Sequence, residues 1–377
     1  MVSKPTIALL GGGQLGRMFL ENALRYDIPV HVLDPDPNAP CAALATRFAV
    51  GDLSDARTVV EFATGADVVG IEIEHVSVDA LVELKRLGKT VVPDPEVLRT
   101  IKDKGLQKEF YREHGIPSAP FALLDTKDEV ITHLERLAPA FLKARSGGYD
   151  GKGVMAIRGP KDLDKAFEGP YLLEQGVDIE MELALLVLRS WSGEQLVYDP
   201  VEMVFDPRFN LVDHLRAPAR ISAELASKAR ELAERVASAF AAPGLYAVEL
   251  FLSRSGELWV NETAPRAHNS GHHTIEACAS SQFDQLLRSY MKWPLGDATL
   301  KTPAAMINLV GEDGEGAPRA LGLQELLGHH GTFVHLYGKA RTRTGRKMGH
   351  VTVTAPDHAG LDAGIALTRA CCKVVPA

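Results

Sequence analysis

The strongest constraint on this chain lies at its start. "TIALL" (6–10) is a short apolar run, and "GGGQLGRMFLENALRY" follows it as a glycine turn opening a helical pattern. A strand feeding through glycines straight into a helix is the first half of a β-α-β unit. "VHVLD" (30–34), "ADVVGIEIE" (66–74), a helix near 78–87 and "TVVP" (90–93) continue the alternation. A parallel α/β sheet is expected over roughly the first 95 residues. Gly11-x-Gly13-x-x-Gly16 has the dinucleotide spacing, and Asp34 ends the next strand where a ribose-binding acid would stand. Three readings fit: an NAD or FAD site, glycines needed only for close packing, or a helix N-terminus holding another phosphate. In "IEIEHV" (71–76), period two puts Glu72 and Glu74 on one face near the carboxyl edge of the sheet. Ligands bind at that edge, although a solvent-exposed edge strand reads the same way.

Bulk properties narrow the function. The chain has 377 residues, 46% hydrophobic and 24% charged, enough for two or three domains with real cores. A net charge of −8 argues against a nucleic-acid coat, which needs a broad basic face. An anionic small substrate remains open if cations gather locally. Cys41, Cys278, Cys371 and Cys372 form no C-x-x-C pair, which suggests a reduced cytoplasmic protein. The apolar run near the N-terminus is too short for a signal-peptide core, and no stretch reaches membrane-spanning length, so no membrane partner is expected.

The pattern changes after Pro93-Asp94-Pro95. A charged helix is expected over about 96–114, then a β-rich centre with an alanine-rich helix at about 222–241, then a smaller β-like segment. The expected division is 1–97, 98–300 and 301–377. The centre holds "RSGGYDGKG" (145–153), whose glycines accompany Arg145, Tyr149, Asp150 and Lys152. A plain linker would use serine and glycine, whereas a loop closing over phosphate needs bare N–H groups and cations. Lys143 lies in the apolar strand "PAFLKAR", where an ammonium needs anions nearby. Lys104 and Lys108 precede it on a helix, where lysines commonly snorkel to solvent.

"LYAVELFLSRSGELWVNE" reads as a hairpin. With the turn centred between Arg254 and Ser255, Glu249 faces Val260 and Glu262 is a diagonal neighbour on the same face, ~7–8 Å away. Two carboxylates so placed, beside Asn261, suit one or two hard cations. A one-residue bulge is expected to turn Glu262 away. The alternative is a pair of unrelated surface acids. Arg266, His268, Asn269, Ser270 and His272 then crowd into "RAHNSGH". Carboxylate-rich ligation favours magnesium over zinc.

"GGGQLGRM", "RSGGYDGKG", "VELF…VNETAPRAHNSGHHT", "SQFDQLLR", "INLVG" and "GRKMGH" together resemble the 5-(carboxyamino)imidazole ribonucleotide synthase family, ATP-grasp enzymes of purine synthesis. The resemblance runs in order over nearly the whole chain. It implies a Rossmann-like N-terminal domain, an ATP-grasp core and a small β-rich C-terminal domain, in line with the α/β first unit and α+β centre read from the sequence pattern. It implies the cofactors ATP and Mg²⁺, with bicarbonate and 5-aminoimidazole ribonucleotide as substrates, and a homodimer. Carried over by position, Lys104 and Lys143 hold ATP phosphates. Gly148, Tyr149, Asp150, Gly151, Lys152 and Gly153 form a lid over them. Glu174, Gln175, Gly176 and Val177 meet the adenine through backbone groups, and Glu182 meets the ribose. Glu249 and Glu262 hold the metal, with Asn261 beside them. Gln14, Leu15, Glu74, Asn269, Ser270, Lys339, Arg346 and Lys347 belong to the nucleotide substrate. Arg266, His268, Tyr149 and Asp150 surround that nucleotide and the bicarbonate-derived group.

Two positions depart from the family pattern. Lys104 stands where many relatives have arginine, and Glu202-Met-Val-Phe205 stands where they have E-N-x-H. The implied chemistry is ATP-driven formation of carboxyphosphate, its breakdown to carbon dioxide and phosphate, and capture of carbon dioxide by the ribonucleotide amine. Three rival readings fit parts of the sequence. The formate-dependent glycinamide ribonucleotide transformylase has His-Asp-Thr-Gly where this chain has His268-Asn-Ser-Gly271. An NAD(P)-dependent oxidoreductase leaves the acid pair and the lid unexplained. A non-catalytic nucleotide-binding regulator has no use for two metal-type carboxylates.

Overall fold

The computed structural model describes residues 4–147, 153–209 and 211–377. The first unit runs β1 (Ile7–Leu10), α1 (Gln14–Arg25), β2 (Val30–Asp34), β3 (Arg47–Val50), α2 (Ala56–Ala63), β4 (Val68–Ile71), α3 (Val78–Arg86) and β5 (Thr90–Val92). Its sheet is wholly parallel, in the order β3-β2-β1-β4-β5. β1, at its centre, is buried along its whole length, which explains its unbroken apolar run. β3 is a half-exposed edge strand, and its sequence "RFAV" carries too little apolar signal to reveal it. β4 ends at Ile71, so Glu72 and Glu74 stand beyond the strand and the shared-face argument does not apply to them.

The charged segment after β5 is two helices, α4 (Pro95–Lys102) and α5 (Lys104–Glu113), not one. Asp103 is the break. Its extended backbone ends α4, and its carboxylate accepts from Gly105 and Leu106 N–H to cap α5. A small antiparallel sheet follows, β6 (Phe121–Leu124), β7 (Ala140–Ala144), β8 (Val154–Ile157) and β9 (Tyr171–Gln175), ordered β6-β9-β7-β8. Helix α6 (Lys127–Leu137) covers one face of it through Val130, Leu134 and Leu137.

The large sheet is built from β10 (Ile179–Arg189), β11 (Gln195–Val197), β12 (Val201–Asp206), β13 (Leu211–Ala217), β14 (Gly244–Ser253) and β15 (Leu258–Ala264), with α7 (Ala223–Phe240) between β13 and β14. One face of β10 and β14 carries Leu183, Leu185, Val187, Val248 and Leu250 and packs on α7. The other face carries Glu182 and Glu249 at one end. At its other end Leu186, Leu188, Leu245 and Ala247 share one core with β1 and α1 of the first unit. Phe283, Leu286, Leu287 and Tyr290 of α9 (Gln282–Tyr290) complete that core; α9 follows the single-turn α8 (Thr274–Ala277).

The C-terminal part comprises β16 (Ala304–Val310), β17 (Pro318–Leu321), α10 (Leu323–Leu327), β18 (Thr332–Leu336), β19 (Lys347–Thr354), α11 (His358–Cys371) and β20 (Lys373–Pro376). It extends the large sheet: β16 pairs with β13, giving the order β15-β14-β10-β12-β13-β16-β19-β18, with β11 on β10 as the ninth strand. β-rich character was expected here; α11 was not, because its alanine-rich sequence has a weak apolar stripe. Arg216 of β13 bonds Asp362 of α11 at 2.6 Å, and Arg369 of α11 pairs with Asp213, so charge as well as backbone joins the two parts.

Candidate active site

The hairpin β14–β15 differs from the sequence expectation twice, and the differences compensate. Its loop has three residues, Arg254, Ser255 and Gly256, with Ser253 N–H bonded to Glu257 O. Gly256 takes φ 84°, the left-handed position such a loop requires. From that turn Leu252 pairs with Leu258 and Leu250 with Val260. A regular ladder would then set Asn261 opposite Glu249 and turn Glu262 to the α7 face. A bulge at Asn261 shifts the register by one, and Glu249 pairs directly with Glu262. The bulge therefore creates the acid pair that a bulge was expected to destroy, and the two acids are directly opposed, not diagonal.

The pair is electrostatically asymmetric. Lys104, at the first position of α5, places Nζ 2.6 Å from Glu262 Oε2. Its ammonium holds Glu262 well below the usual carboxylate range. Burial pushes Glu249 up, and Glu262 and Glu182 facing it push it further. Glu249 keeps two weak partners, Asn261 Nδ2 at 3.4 Å and His268 Nε2 at 3.5 Å. Glu182 is likewise raised by burial, to about 7. Among the described residues, three acids on this sheet face have one ammonium in direct contact, that of Lys104 on Glu262, with Lys143 acting on Glu182 and Glu262 from farther away.

Beside it lies a buried knot. Glu174 of β9 forms ion pairs with both Lys143 of β7 and Lys108 of α5. Lys108 does not snorkel: its side chain is 3% exposed, and Nζ also donates to Val260 O at 3.4 Å. Burial alone would raise Glu174, but the two ammoniums outweigh it and hold its carboxyl low. Lys108 was thus a site residue missed at the sequence level. Its helical spacing carries no sign of burial, since the anion it meets comes from a distant strand. Gln175 and Gly176 N–H groups are bonded to Pro120 and Pro139 carbonyls, so an adenine edge at this segment would meet carbonyls and Val177.

The glycine turn at α1 is filled by acids of its own chain. Gly12 N–H donates to Asp34 Oδ2 at 2.6 Å, and Leu15 N–H to Glu72 Oε1 at 3.1 Å. A Cβ on Gly13 would stand 2.5 Å from Glu72 Oε1, so glycine is needed for the carboxylate to reach the helix N-terminus. Burial raises Glu72, opposed by Arg266 and the Leu15 N–H. Glu74 bonds Arg266 at 2.8 Å and so ties the first sheet's carboxyl edge to the segment after β15. Gln14 opens α1 at this same edge.

The remaining expected residues divide. Asn269 exchanges two 2.9 Å amide bonds with Asn308 of β16, and Ser270, buried, bonds His268 Nδ1 at 2.9 Å. Both have protein partners that shape the loop around His268. Lys339 and Lys347 lie together, Lys339 Nζ donating to Lys347 O at 2.6 Å, and Arg346 bonds Arg341 O at 2.7 Å. Arg17 of α1 reaches against Gly338, so this basic segment borders the glycine turn. Gly148, Tyr149, Asp150, Gly151 and Lys152 lie outside the described residues. The roots of that segment are described. Arg145 forms a bidentate pair with Asp103 at 3.0 and 2.8 Å, and Gly153 O accepts from Ala144 N–H at 2.8 Å.

Comparison with known proteins covers all three parts of the chain. Residues 4–102 match the ribonucleotide synthetase preATP-grasp domain, 109–283 the ATP-grasp domain, and 304–363 the phosphoribosylaminoimidazole carboxylase C-terminal domain. The N5-carboxyaminoimidazole ribonucleotide synthase of Brucella melitensis is 36% identical over 93% of this chain and 96% of its own length. The phosphoribosylaminoimidazole carboxylase of Ogataea methanolica is 36% identical over 93% of this chain, which spans 66% of that longer protein. The crystal structure of the Aspergillus clavatus synthase, in complex with ADP and 5-aminoimidazole ribonucleotide, superposes with a TM-score of 0.89 at 34% identity, covering 98% of this chain and 99% of that one. On these matches over nearly its whole length, this chain belongs to the N5-carboxyaminoimidazole ribonucleotide synthase family of ATP-grasp ligases.

Proposed function

We propose that this chain carboxylates the exocyclic amine of 5-aminoimidazole ribonucleotide with bicarbonate, consuming ATP and releasing ADP and phosphate. The observation that carries the reading is the directly opposed Glu249–Glu262 pair beside Lys104. Bicarbonate is a poor electrophile and needs activation. Attack of its oxygen on the γ-phosphorus breaks the bond to ADP and gives carboxyphosphate, which yields carbon dioxide and phosphate within the closed site. The amine nitrogen then bonds the carbon and loses a proton. Negative charge grows on phosphate oxygens in the first step, and Lys104 and Lys143 are placed to meet it.

The donor set fits magnesium. Glu249 and Glu262 offer hard oxygen ligands on one face, and an ammonium already rests on one of them. Magnesium, when bound, supplies charge neutralisation across the ATP phosphates. Glu182 is assigned to the ribose, the 174–177 segment to adenine, and Asn261 to orienting Glu249. On the substrate side, Gln14, Leu15 and Glu74 border the ribonucleotide. Lys339, Arg346 and Lys347, a local basic patch in an acidic chain, attract its phosphate. Arg266, oriented by Glu74, and His268 face the reacting groups. The 145–153 segment, with Tyr149 and Asp150, is read as the lid that keeps water from the intermediate. The four cysteines are free, and among the described residues no helix is long and apolar enough to cross a membrane. A cytoplasmic homodimer is part of the same proposal, to be checked by fractionation and light scattering.

The test is ADP release with aminoimidazole ribonucleotide plus bicarbonate, with each omitted, and with glycinamide ribonucleotide plus formate. Full turnover only with the first pair is expected. Turnover with the second pair, or with neither needed, overturns the reading.

A further inference from the structure

His268 sits in an irregular segment between β15 and the 3-10 turn Asn269–Gly271. Its carbonyl accepts from Gly271 N–H at 3.0 Å within that turn, and among the described residues it lies in no β-ladder. A side chain also pairs with it in ladder fashion. His268 N–H donates to Gln282 Oε1 at 2.9 Å, and Gln282 Nε2 donates to His268 O at 2.8 Å. Gln282 is the first residue of α9 and has 0% exposure. Its own N–H is held by Thr274 Oγ1 at 2.9 Å, and that hydroxyl donates to Gly271 O at 2.6 Å. The amide thus grips the histidine backbone from a rigid base, with the histidine's Nε2 3.5 Å from Glu249 Oε1.

The orientation of the amide is also fixed. The second hydrogen on Gln282 Nε2 meets His272 Nδ1 at 3.1 Å. Both donors of the amide are then used, so His272 Nδ1 must accept. His272 is neutral with its proton on Nε2, in keeping with burial that holds it well below the ordinary histidine range. A flipped amide would set Oε1 against the His272 lone pair and against the His268 carbonyl. The His272 ring is itself packed, 4.8 Å from His350 and 6.0 Å from Phe283.

We propose that Gln282 is a positioning residue that clamps the His268 backbone so that its imidazole faces Glu249, with His272 locking the amide in the working orientation. The inference rests on the reading of His268 as a group facing the reacting atoms. It assigns roles to two buried residues that act through His268.

The test is a double-mutant cycle on steady-state turnover. Gln282→Glu keeps the shape but replaces both donors by an acceptor oxygen. It should lower kcat about 10- to 100-fold while the KM for ATP stays within about twofold, the signature of a misplaced group at the reacting centre. His272→Phe should lower kcat less, about three- to tenfold by the same reasoning. In a His268→Asn background neither change should cost anything further. Equal losses in both backgrounds overturn the clamp while leaving His268 in place, as does a loss expressed only as a raised KM for ATP. Unchanged turnover in His268→Asn alone overturns the reading of His268 and the clamp with it. If Gln282→Glu does not accumulate folded, as judged by its thermal transition, the His272→Phe arm decides the question by the same criteria.

Discussion

A single buried carboxylate shows what the site costs. Glu174 pairs with two ammoniums, and Lys108 beside it is 3% exposed. Glu174→Gln should leave Lys108 buried without a counter-charge and destabilise the fold by about 3–5 kcal/mol, seen as a lower urea midpoint with an unchanged slope. Glu262→Gln acts differently. It removes the Lys104 partner in a half-open cleft and should leave the fold intact while lowering the rate of ADP formation about 100-fold or more. Near-normal turnover would refute the metal assignment. Glu249 adds a pH dependence. Its pKa is raised, so without a cation the folded state holds a proton that the unfolded chain gives up, and stability falls as pH rises through the raised value. A divalent cation must displace that proton. Apparent magnesium affinity, measured by titration calorimetry, should therefore increase from pH 6 to pH 8.5; a flat profile would contradict the assignment.

At the scale of elements, the bulge at Asn261 and the cap at Asp103 decide where chemistry falls. The hairpin's existence is plain from two apolar runs about Ser253–Gly256, but its register is not. A three-residue loop followed by a one-residue bulge returns Glu262 to the face that a plain count would have given it for the wrong reason. Gly256 has open space around a would-be Cβ, so Gly256→Ala pays only for left-handed backbone. The expected result is a loss of about 1 kcal/mol in thermal unfolding with kcat unchanged. Asp103 has two tasks: it caps α5, putting Lys104 against Glu262, and it anchors Arg145 at the root of the glycine segment. Asp103→Ala should cost about 1 kcal/mol as a lost cap and also weaken ATP binding, which ligand-dependent thermal shift would report. An equal shift in variant and parent would separate the cap from the site.

For the whole molecule, the continuous nine-stranded sheet matters most. β13 pairs with β16, so the C-terminal part is an extension of the central sheet and not an appended body. A chain ending at residue 300 would expose the β13 edge and strip Arg216, 9% exposed, of Asp362. It should be insoluble or lack a cooperative unfolding transition. The α/β start, the central hairpin, the alanine-rich helix and the residues crowded after β15 were legible from sequence because each rests on local periodicity or composition. The charged and polar residue types offered as site candidates could be read off as well. Their pairing was not. Lys104 with Glu262, Lys108 with Glu174, Arg266 with Glu74 and Asn269 with Asn308 join segments far apart in the chain. By itself, the sequence determined most of the elements, though not β3, α11 or the helix break at Asp103, and which side chains carry charge, since turn chemistry and apolar spacing act over a few residues. Only tertiary structure decided which charges meet, because burial and ladder register arise when distant strands come together, and a shift of one residue reverses the face on which a carboxylate stands.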